Sequence, residues 1–268
     1  MLAVQQLRVE VGARVLFDGL SFVLAKDDRI SFAGPNGAGK STLMKCLAGV
    51  IEPNAGQITR PKGHRTGYLP QDGIHLTGHS LWEEAESAFA EAKRLQHNID
   101  QLSAELDHLD PSASNYSDLL QEIGELELRL EHFDPTRIKP RIESVLGGLG
   151  FQRGDFQRDC GEFSGGWQMR IAMAKLFLQE PDVLLLDEPT NHMDMPTIEW
   201  MEDMLRQHRG ALLVVSHDRA FLRNLGTGIV WLHGGKLRRR DGHFDEFESW
   251  SDGILTDEAM TLHKLDRH

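Results

Sequence analysis

Nine residues, Gly34-Pro35-Asn36-Gly37-Ala38-Gly39-Lys40-Ser41-Thr42, leave this chain little freedom in what it folds into. They fit G-x-x-x-x-G-K-[ST], whose glycines let backbone N–H groups turn inward as an anion-binding nest. Such a loop needs a buried strand before it and a helix after it. Residues 29–33 (RISFA) read as the strand, and Leu43, Met44, Leu47 and Ala48 recur at helical spacing. A helix beginning near Gly39 adds the positive end of its dipole to the nest. Lys40 is then placed to reach the β- and γ-phosphates of a nucleotide, and Ser41 to offer a hydroxyl to Mg²⁺.

Composition narrows the class. The 268 residues, 40% hydrophobic and 26% charged with 26 glycines, fit a soluble α/β protein with ample core. No apolar run approaches the ~18 residues of a membrane span. Gln5, Gln6, Arg8 and Glu10 interrupt any signal-peptide pattern at the start. The two cysteines, Cys46 and Cys160, lack metal-ligand spacing and suit a reducing, cytoplasmic setting. A net charge of −12 argues against a surface that coats nucleic acid, though not against a local basic contact.

Along the chain, residues 2–33 alternate apolar and polar positions and read as antiparallel strands leading to the loop strand. Residues 53–56 form a turn, followed by strands at 57–59 and 65–69, the latter ending at Pro70-Gln71. Character changes near Gly78. Leu95, Ile99, Leu102, Leu106 and Leu109, then Leu119, Ile123, Leu126, Leu130 and Phe133, each repeat at spacings of four and three. That is a heptad seam on either side of a polar turn at 110–115, the pattern of an antiparallel helical hairpin. Asp134-Pro135 reads as an N-cap with proline at N1, opening a helix that Gly147-Gly148 ends. Two nearly continuous apolar runs, DVLLLD at 182–187 and GALLVVS at 210–216, read as central parallel strands. A closing hairpin turns over 233–235, and a helix is expected beyond Trp250.

Four further stretches belong with the loop. Asp187 and Glu188 follow an apolar strand and so stand at its carboxyl end; Asp187 is placed to hold Mg²⁺, and Glu188 to orient or deprotonate an attacking water. Gln71, after another strand, is a candidate for Mg²⁺ and that water, and His217 for the γ-phosphate. Ser164-Gly165-Gly166 opens a helix whose Ile171, Ala174 and Leu178 form an apolar face, and such an N-terminus takes a phosphate.

In this order the stretches resemble the ATP-binding-cassette family over residues 1–245. The resemblance identifies 34–42 as the phosphate loop, Gln71 as the glutamine loop, 164–168 as the signature, 183–188 as the Walker B strand, Asn191 to Asp194 as the aspartate loop, and His217 as the switch histidine. It implies an α/β P-loop NTPase fold with an antiparallel β subdomain, a helical signature subdomain and a helical-hairpin arm inserted at 79–134. It also implies ATP and Mg²⁺ as ligands, with two cassettes paired head to tail. Each ATP then lies between one phosphate loop and the other cassette's Ser164-Gly165-Gly166. Asp194 belongs to the same nucleotide site.

Within the family, the soluble ABC-F branch of translation-associated ATPases is the most similar. Trp167 stands where transporter ATPases commonly have glutamine, Glu188-Pro189-Thr190-Asn191-His192-Met193-Asp194 resembles that branch's EPTNHLD, and Ser216-His217-Asp218-Arg219 its SHDR. The stretch from Gln71 to Ser164 is longer than transporters usually carry. One departure is Val11, aligned with an aromatic residue that stacks on adenine in the family. Valine cannot stack, so the base contact is either weaker or made elsewhere, with Phe17 the candidate. Another is that ABC-F proteins carry two cassettes. The expected organisation is therefore an ATPase domain at 1–250 and the start of a linker helix at 251–268, in the N-terminal half of a longer protein or else a cassette that dimerises.

The leading function is an ATPase whose nucleotide cycle controls ribosome binding, through RNA or ribosomal protein and without membrane insertion. The alternatives are the motor subunit of a membrane transporter and a DNA-directed cassette ATPase. Residues 80–132 hold thirteen Asp and Glu against Lys93, Arg94 and Arg129. That acidic stretch suits a basic ribosomal protein or is a solvated coiled-coil surface, and RNA phosphates would repel it. Arg238-Arg239-Arg240 and Arg137, Lys139 and Arg141 are the better RNA candidates.

Overall fold

The computed structural model describes residues 1–265 except 13, 72, 111, 112, 114, 132, 133 and 192, and leaves the side chains of 135 and 261–265 aside. Phe133 of the second seam, His192, and three residues of the 110–115 turn lie outside the described set. The chain divides into two compact units: residues 1–73 with 180–268, and residues 74–179.

The first unit holds two sheets. Strands β1 (Leu2–Val11), β2 (Arg14–Leu24) and β4 (Ala55–Thr59) form an antiparallel sheet in the order β2-β1-β4. The alternation read from the sequence holds at Leu7 and Val9, which point inward with Leu2 and Val4, and ends before Val11, which is exposed. Its one break in step, from Val4 to Leu7, is a register shift beside Gln6, which has a φ of 50°. The second sheet runs β5-β6-β7-β3-β8-β9, with β3 Arg29–Ala33, β5 Thr66–Leu69, β6 Val183–Asp187, β7 Ala211–Val215, β8 Gly228–His233 and β9 Lys236–Asp241. All neighbours are parallel except β8 and β9. The two apolar runs are β6 and β7, buried along their whole length as strands covered on both faces must be. The β8–β9 hairpin turns on Gly234 and Gly235, whose φ of 57° and 72° suit a two-residue turn matched to strand twist.

Helix α1 (Lys40–Ala48) follows β3 and buries Leu43, Met44, Cys46 and Leu47 in a core shared with both sheets. Gly49, left-handed at φ 77°, ends it by donating to the carbonyls of Cys46 and Lys45. Helices α7 (Met195–Gln207), α8 (Arg219–Leu225) and α9 (Phe247–Leu265) complete this unit.

The second unit is helical: α2 (Leu81–Glu86), α3 (Ala90–Asp107), α4 (Tyr116–Glu131), α5 (Pro135–Gly148) and α6 (Gly165–Gln179). The seams read at 95–109 and 119–130 lie on α3 and α4, which pack together. Arg129, near the end of α4, pairs with Glu91 at the start of α3, so the two run antiparallel. The seam is unevenly covered: Leu95, Ile99, Ile123 and Leu130 are buried, while Leu102, Leu106, Leu119 and Leu126 are half-buried.

Both ends of α5 fall where the sequence put them. Asp134 stands at the N-cap with Pro135 following it, as read, but its side chain makes no cap bond: the residue sits at φ 40°, and its carboxylate accepts from the Thr136 hydroxyl at 2.6 Å and pairs with Arg137 at 2.8 Å. Gly147 and Gly148 are the last two residues of α5, as read, and the chain turns just beyond them at Gly150, φ 92°.

Candidate nucleotide site

Parallel strands put their carboxyl ends on one edge of the sheet, and register fixes what meets there. Asp187 of β6 lies level with Val215 of β7, and Leu69 of β5 with Leu186. Pro70-Gln71, Asp187-Glu188, Ser216-His217 and the loop after Ala33 therefore leave neighbouring strands at the same edge. Gln71 is exposed there.

The phosphate loop is shaped by what crowds it. A Cβ on Gly34 would come within 2.5 Å of the Leu232 carbonyl oxygen on β8, and one on Gly39 within 2.7 Å of the Phe17 ring. Gly39 also has a φ of 101°, which L side chains avoid. Pro35, Asn36, Gly37 and Ala38 span the turn between these two glycines, Ala38 donating its N–H to the Pro35 carbonyl at 3.2 Å. Lys40 folds over the loop, its ammonium donating to the carbonyls of Gly34 at 2.8 Å and Pro35 at 3.2 Å. Burial pushes its pKa down, against the pull of Asp187 and Glu188. Ser41 and Thr42 occupy the first turn of α1.

Opposite stands a carboxylate held from behind. Glu188, 5% exposed, adopts a left-handed φ of 54° and donates its N–H to Val215 O at 2.8 Å. Its Oε2 accepts from the His217 backbone N–H at 3.1 Å, and its Oε1 lies 3.5 Å from His217 Nε2. The imidazole itself is 78% exposed. Ser216 braces the two loops: its hydroxyl bonds that of Thr190 at 3.1 Å and accepts from Asp218 N at 3.0 Å, and Asp218 caps α8 through Phe221 N. Ser216 and Thr190 were read from sequence only as members of their motifs, and the bond between them joins two loops that no local pattern connects. Asp194 accepts from the Thr197 hydroxyl at 2.7 Å at the start of α7.

A divalent metal fits this donor set only with help from a ligand. Among the described residues no group of three or more His, Cys, Asp and Glu is arranged to hold a metal ion. Ser41 on α1 and buried Asp187 at the end of β6 remain, with Gln71 on the neighbouring strand end. Few protein oxygens completed by phosphate oxygens is the pattern of Mg²⁺ with a nucleotide.

The second unit carries Ser164, Gly165 and Gly166 at the start of α6, with Ser164 and Gly165 exposed. Ser164 O accepts from Gln168 N at 2.9 Å. Gln168 is a buried tie: it accepts from Leu76 N and donates to the carbonyls of Cys160 and Phe163. Trp167 packs against Phe151 at 4.9 Å, under the Arg170 guanidinium at 4.6 Å.

The expected base contact fails, and the expected basic patch proves to be paired. Phe17 is 1% exposed and packed behind Gly39, so it is closed to a base; Val11 is 56% exposed and unstacked. The arginine triplet is already neutralised: Arg239 makes a bidentate pair with Asp28 at 2.7 and 2.8 Å, Arg238 pairs with Glu258 and Arg240 with Glu246. Burial pushes the Asp28 carboxyl up, but Arg239 and the Ala25 N–H outweigh it and hold it low. Of the other basic cluster, Arg137 pairs with Asp134, Arg141 donates to Phe177 O at 3.3 Å, and Lys139 is exposed.

Comparison with known proteins agrees with this architecture. The family described as ABC transporter matches residues 17–191. Among curated relatives, the "Uncharacterized ABC transporter ATP-binding protein YfmM" of Bacillus subtilis is 32% identical over 92% of this chain and 47% of its own length. "ABC transporter F family member 2" of Arabidopsis thaliana is 34% identical over 88% of this chain and 35% of its own. "ATP-binding protein Uup" of Escherichia coli is 33% identical over 94% and 38%. The chain thus spans between about a third and a half of the length of these relatives. Of solved structures, an ATP-binding subunit of an ABC transporter superposes with a TM-score of 0.68 at 19% identity, covering 94% of this chain and 93% of that one. A dimeric ATP-binding cassette in a post-hydrolysis state with ADP and Pi gives 0.63 at 17%, covering 90% and 98%. Both likenesses speak for the fold.

Proposed function

The chain belongs to the ATP-binding-cassette family, whose members hydrolyse ATP, and we propose that it is an ABC-F type cassette that hydrolyses Mg-ATP and uses nucleotide-driven closure to control binding to the ribosome. The observation that carries the ATPase reading is the convergence of Lys40, Asp187, Glu188 and His217 at one sheet edge. Glycine-lined N–H groups of residues 34–39 and the start of α1 cradle the phosphates, and Lys40 exchanges two loop carbonyls for phosphate oxygens. Ser41 and Asp187, with Gln71, hold Mg²⁺, which when bound neutralises charge on the phosphates. Glu188, aimed by His217 N–H, accepts a proton from the attacking water, and the exposed imidazole of His217 meets the γ-phosphate. The site is completed by Ser164-Gly165-Gly166 of a second cassette, fused or a separate copy.

The ribosome reading rests on the relatives named as F family members and on the α3–α4 hairpin, an acidic self-packed element with no part in the phosphate site. The test is sedimentation. The full-length protein with Glu188→Gln should pellet with ribosomes in ATP, because closure is reached and hydrolysis cannot undo it. Removal of residues 95–133 should weaken pelleting and leave ATP binding intact. A trapped protein that stays in the supernatant at moderate salt overturns the ribosome reading.

The second reading, a transporter's motor subunit, draws on the family description and on the printed name of the Bacillus relative. No described helix is long and apolar enough to cross a membrane, so on this reading the membrane-spanning part lies outside the described residues. It predicts that the trapped protein fractionates with membranes.

A further inference from the structure

The structure joins α9 to both halves of the phosphate site. Phe247 and Trp250 on its first turn pack edge-on against Trp231 of β8 at 6.1 and 6.0 Å, with Phe244 stacked on Phe247 at 5.4 Å. The same apolar cluster contains Ala33, the last residue before the phosphate loop. Trp231 precedes Leu232, whose carbonyl crowds Gly34. The beginning of α9 thus rests on the root of the loop.

The other half is reached through ion pairs. Arg219, two residues after His217, pairs with Glu248 on α9 at 2.6 Å; one helical turn on, Arg223 faces Asp245 at 3.9 Å. Lys40, Glu188, His217, Arg219, Phe247 and Glu248 line one cleft of about 390 Å³. Arg219 and Glu248 are 73% and 64% exposed, so their pair adds little to the stability of the fold. What the pair does fix is the position of the segment 216–219 relative to α9.

Resting on the ATPase reading above, we infer that Glu248 is a positioning residue for hydrolysis: through Arg219 it holds the switch loop so that His217 N–H aims the Glu188 carboxylate. A hydrogen bond of 3.1 Å weakens with small displacements of the His217 backbone, so a loosened Arg219 lets the carboxylate swing from the water it must deprotonate. The first turn of α9 is then part of the hydrolytic apparatus, and whatever is attached along α9 acts on turnover through one ion pair. Binding of ATP, carried by the loop and Lys40, does not depend on it.

Turnover and ATP affinity of the whole protein test this with Glu248→Ala, Arg219→Ala, the exchange Arg219→Glu with Glu248→Arg, and Glu246→Ala as control. Glu246 sits in the same turn but pairs with Arg240 on β9. Each single variant at the pair should lower kcat by about fivefold, the ceiling for an exposed ion pair, with ATP affinity unchanged. The exchange should restore most of the loss, and the control should match the wild type. Unchanged kcat in Glu248→Ala, an exchange no better than the singles, or a parallel fall in affinity overturns the inference. Those outcomes leave the ATPase reading standing, since it fails only if the wild type does not turn over ATP or Glu188→Gln turns over as fast as the wild type.

Discussion

Glu188 and His217 are bound to each other twice over: the His217 backbone N–H donates to Oε2 at 3.1 Å while its imidazole Nε2 lies 3.5 Å from Oε1. One contact is made by the backbone just beyond the end of β7; the other belongs to an exposed ring that points its Nε2 at the carboxylate. The carboxylate is thus aimed independently of whether the imidazole is engaged.

Replacing Glu188 with Gln keeps the acceptor oxygen for His217 N–H and removes only the basicity. Turnover should fall by about 10²–10⁴-fold with ATP affinity retained. Lys40→Ala should instead abolish nucleotide binding. Stopped-flow binding of a fluorescent ATP analogue, run beside steady-state phosphate release, separates the two. A Gln variant with near wild-type turnover removes Glu188 from its role.

Gly39→Ala places a Cβ against the Phe17 ring and forces a strained φ of 101° on an L residue. It should lose about 1–3 kcal/mol of stability and weaken ATP binding. Adding Phe17→Leu should recover part of the stability, because it relieves the clash and not the backbone strain. Full recovery, or none, in urea denaturation contradicts this division.

Trp167→Ala should destabilise the helical unit by about 2–3 kcal/mol, below the 3–5 of a fully buried ring because the indole is half-buried. The Arg170 guanidinium loses its aromatic face, while its hydrogen bond to Leu149 O at 3.1 Å remains. Trp167→Phe should recover more than half. Differential scanning calorimetry reads the loss directly.

Acid should destabilise the first unit through two imidazoles. Burial holds His208 low and Arg29 adds to it, while Glu180 and Asp182 pull the other way. Burial also holds His64 low, Asp182 opposing and the N-terminus and Arg60 adding. The unfolded chain then binds protons that the folded chain does not, so their contribution is complete above about pH 6.5 and is lost as pH falls through that region. The low carboxyl of Asp28 acts only at more acidic pH. Urea midpoints should drop between pH 7.5 and 5.5, and His64→Gln with His208→Gln should flatten the slope. An unchanged slope assigns the acid sensitivity elsewhere.

The phosphate loop, the strands β6 and β7, and the paired helices α3 and α4 were legible because each rests on a local period or a short fixed motif. Glu188 and His217 were legible as strand ends, and register alone brings them to one edge. The adenine contact was misread, and the partners of the arginine triplet went unread, for a common reason: sequence shows what a side chain is, and neither its burial nor its partner. Phe17 is spent on filling the space behind Gly39, and Arg238, Arg239 and Arg240 on Glu258, Asp28 and Glu246.

Sequence by itself determined the elements and the chemistry offered at each strand end, since glycine placement, apolar period and the order of motifs are properties of neighbours along the chain. The tertiary structure alone decided which residues touch across it: Leu232 O against Gly34, Thr190 against Ser216, and Glu248 against Arg219. Those contacts join positions from 26 to 198 residues apart, and no local pattern encodes them, because they depend on the packing of whole strands and helices.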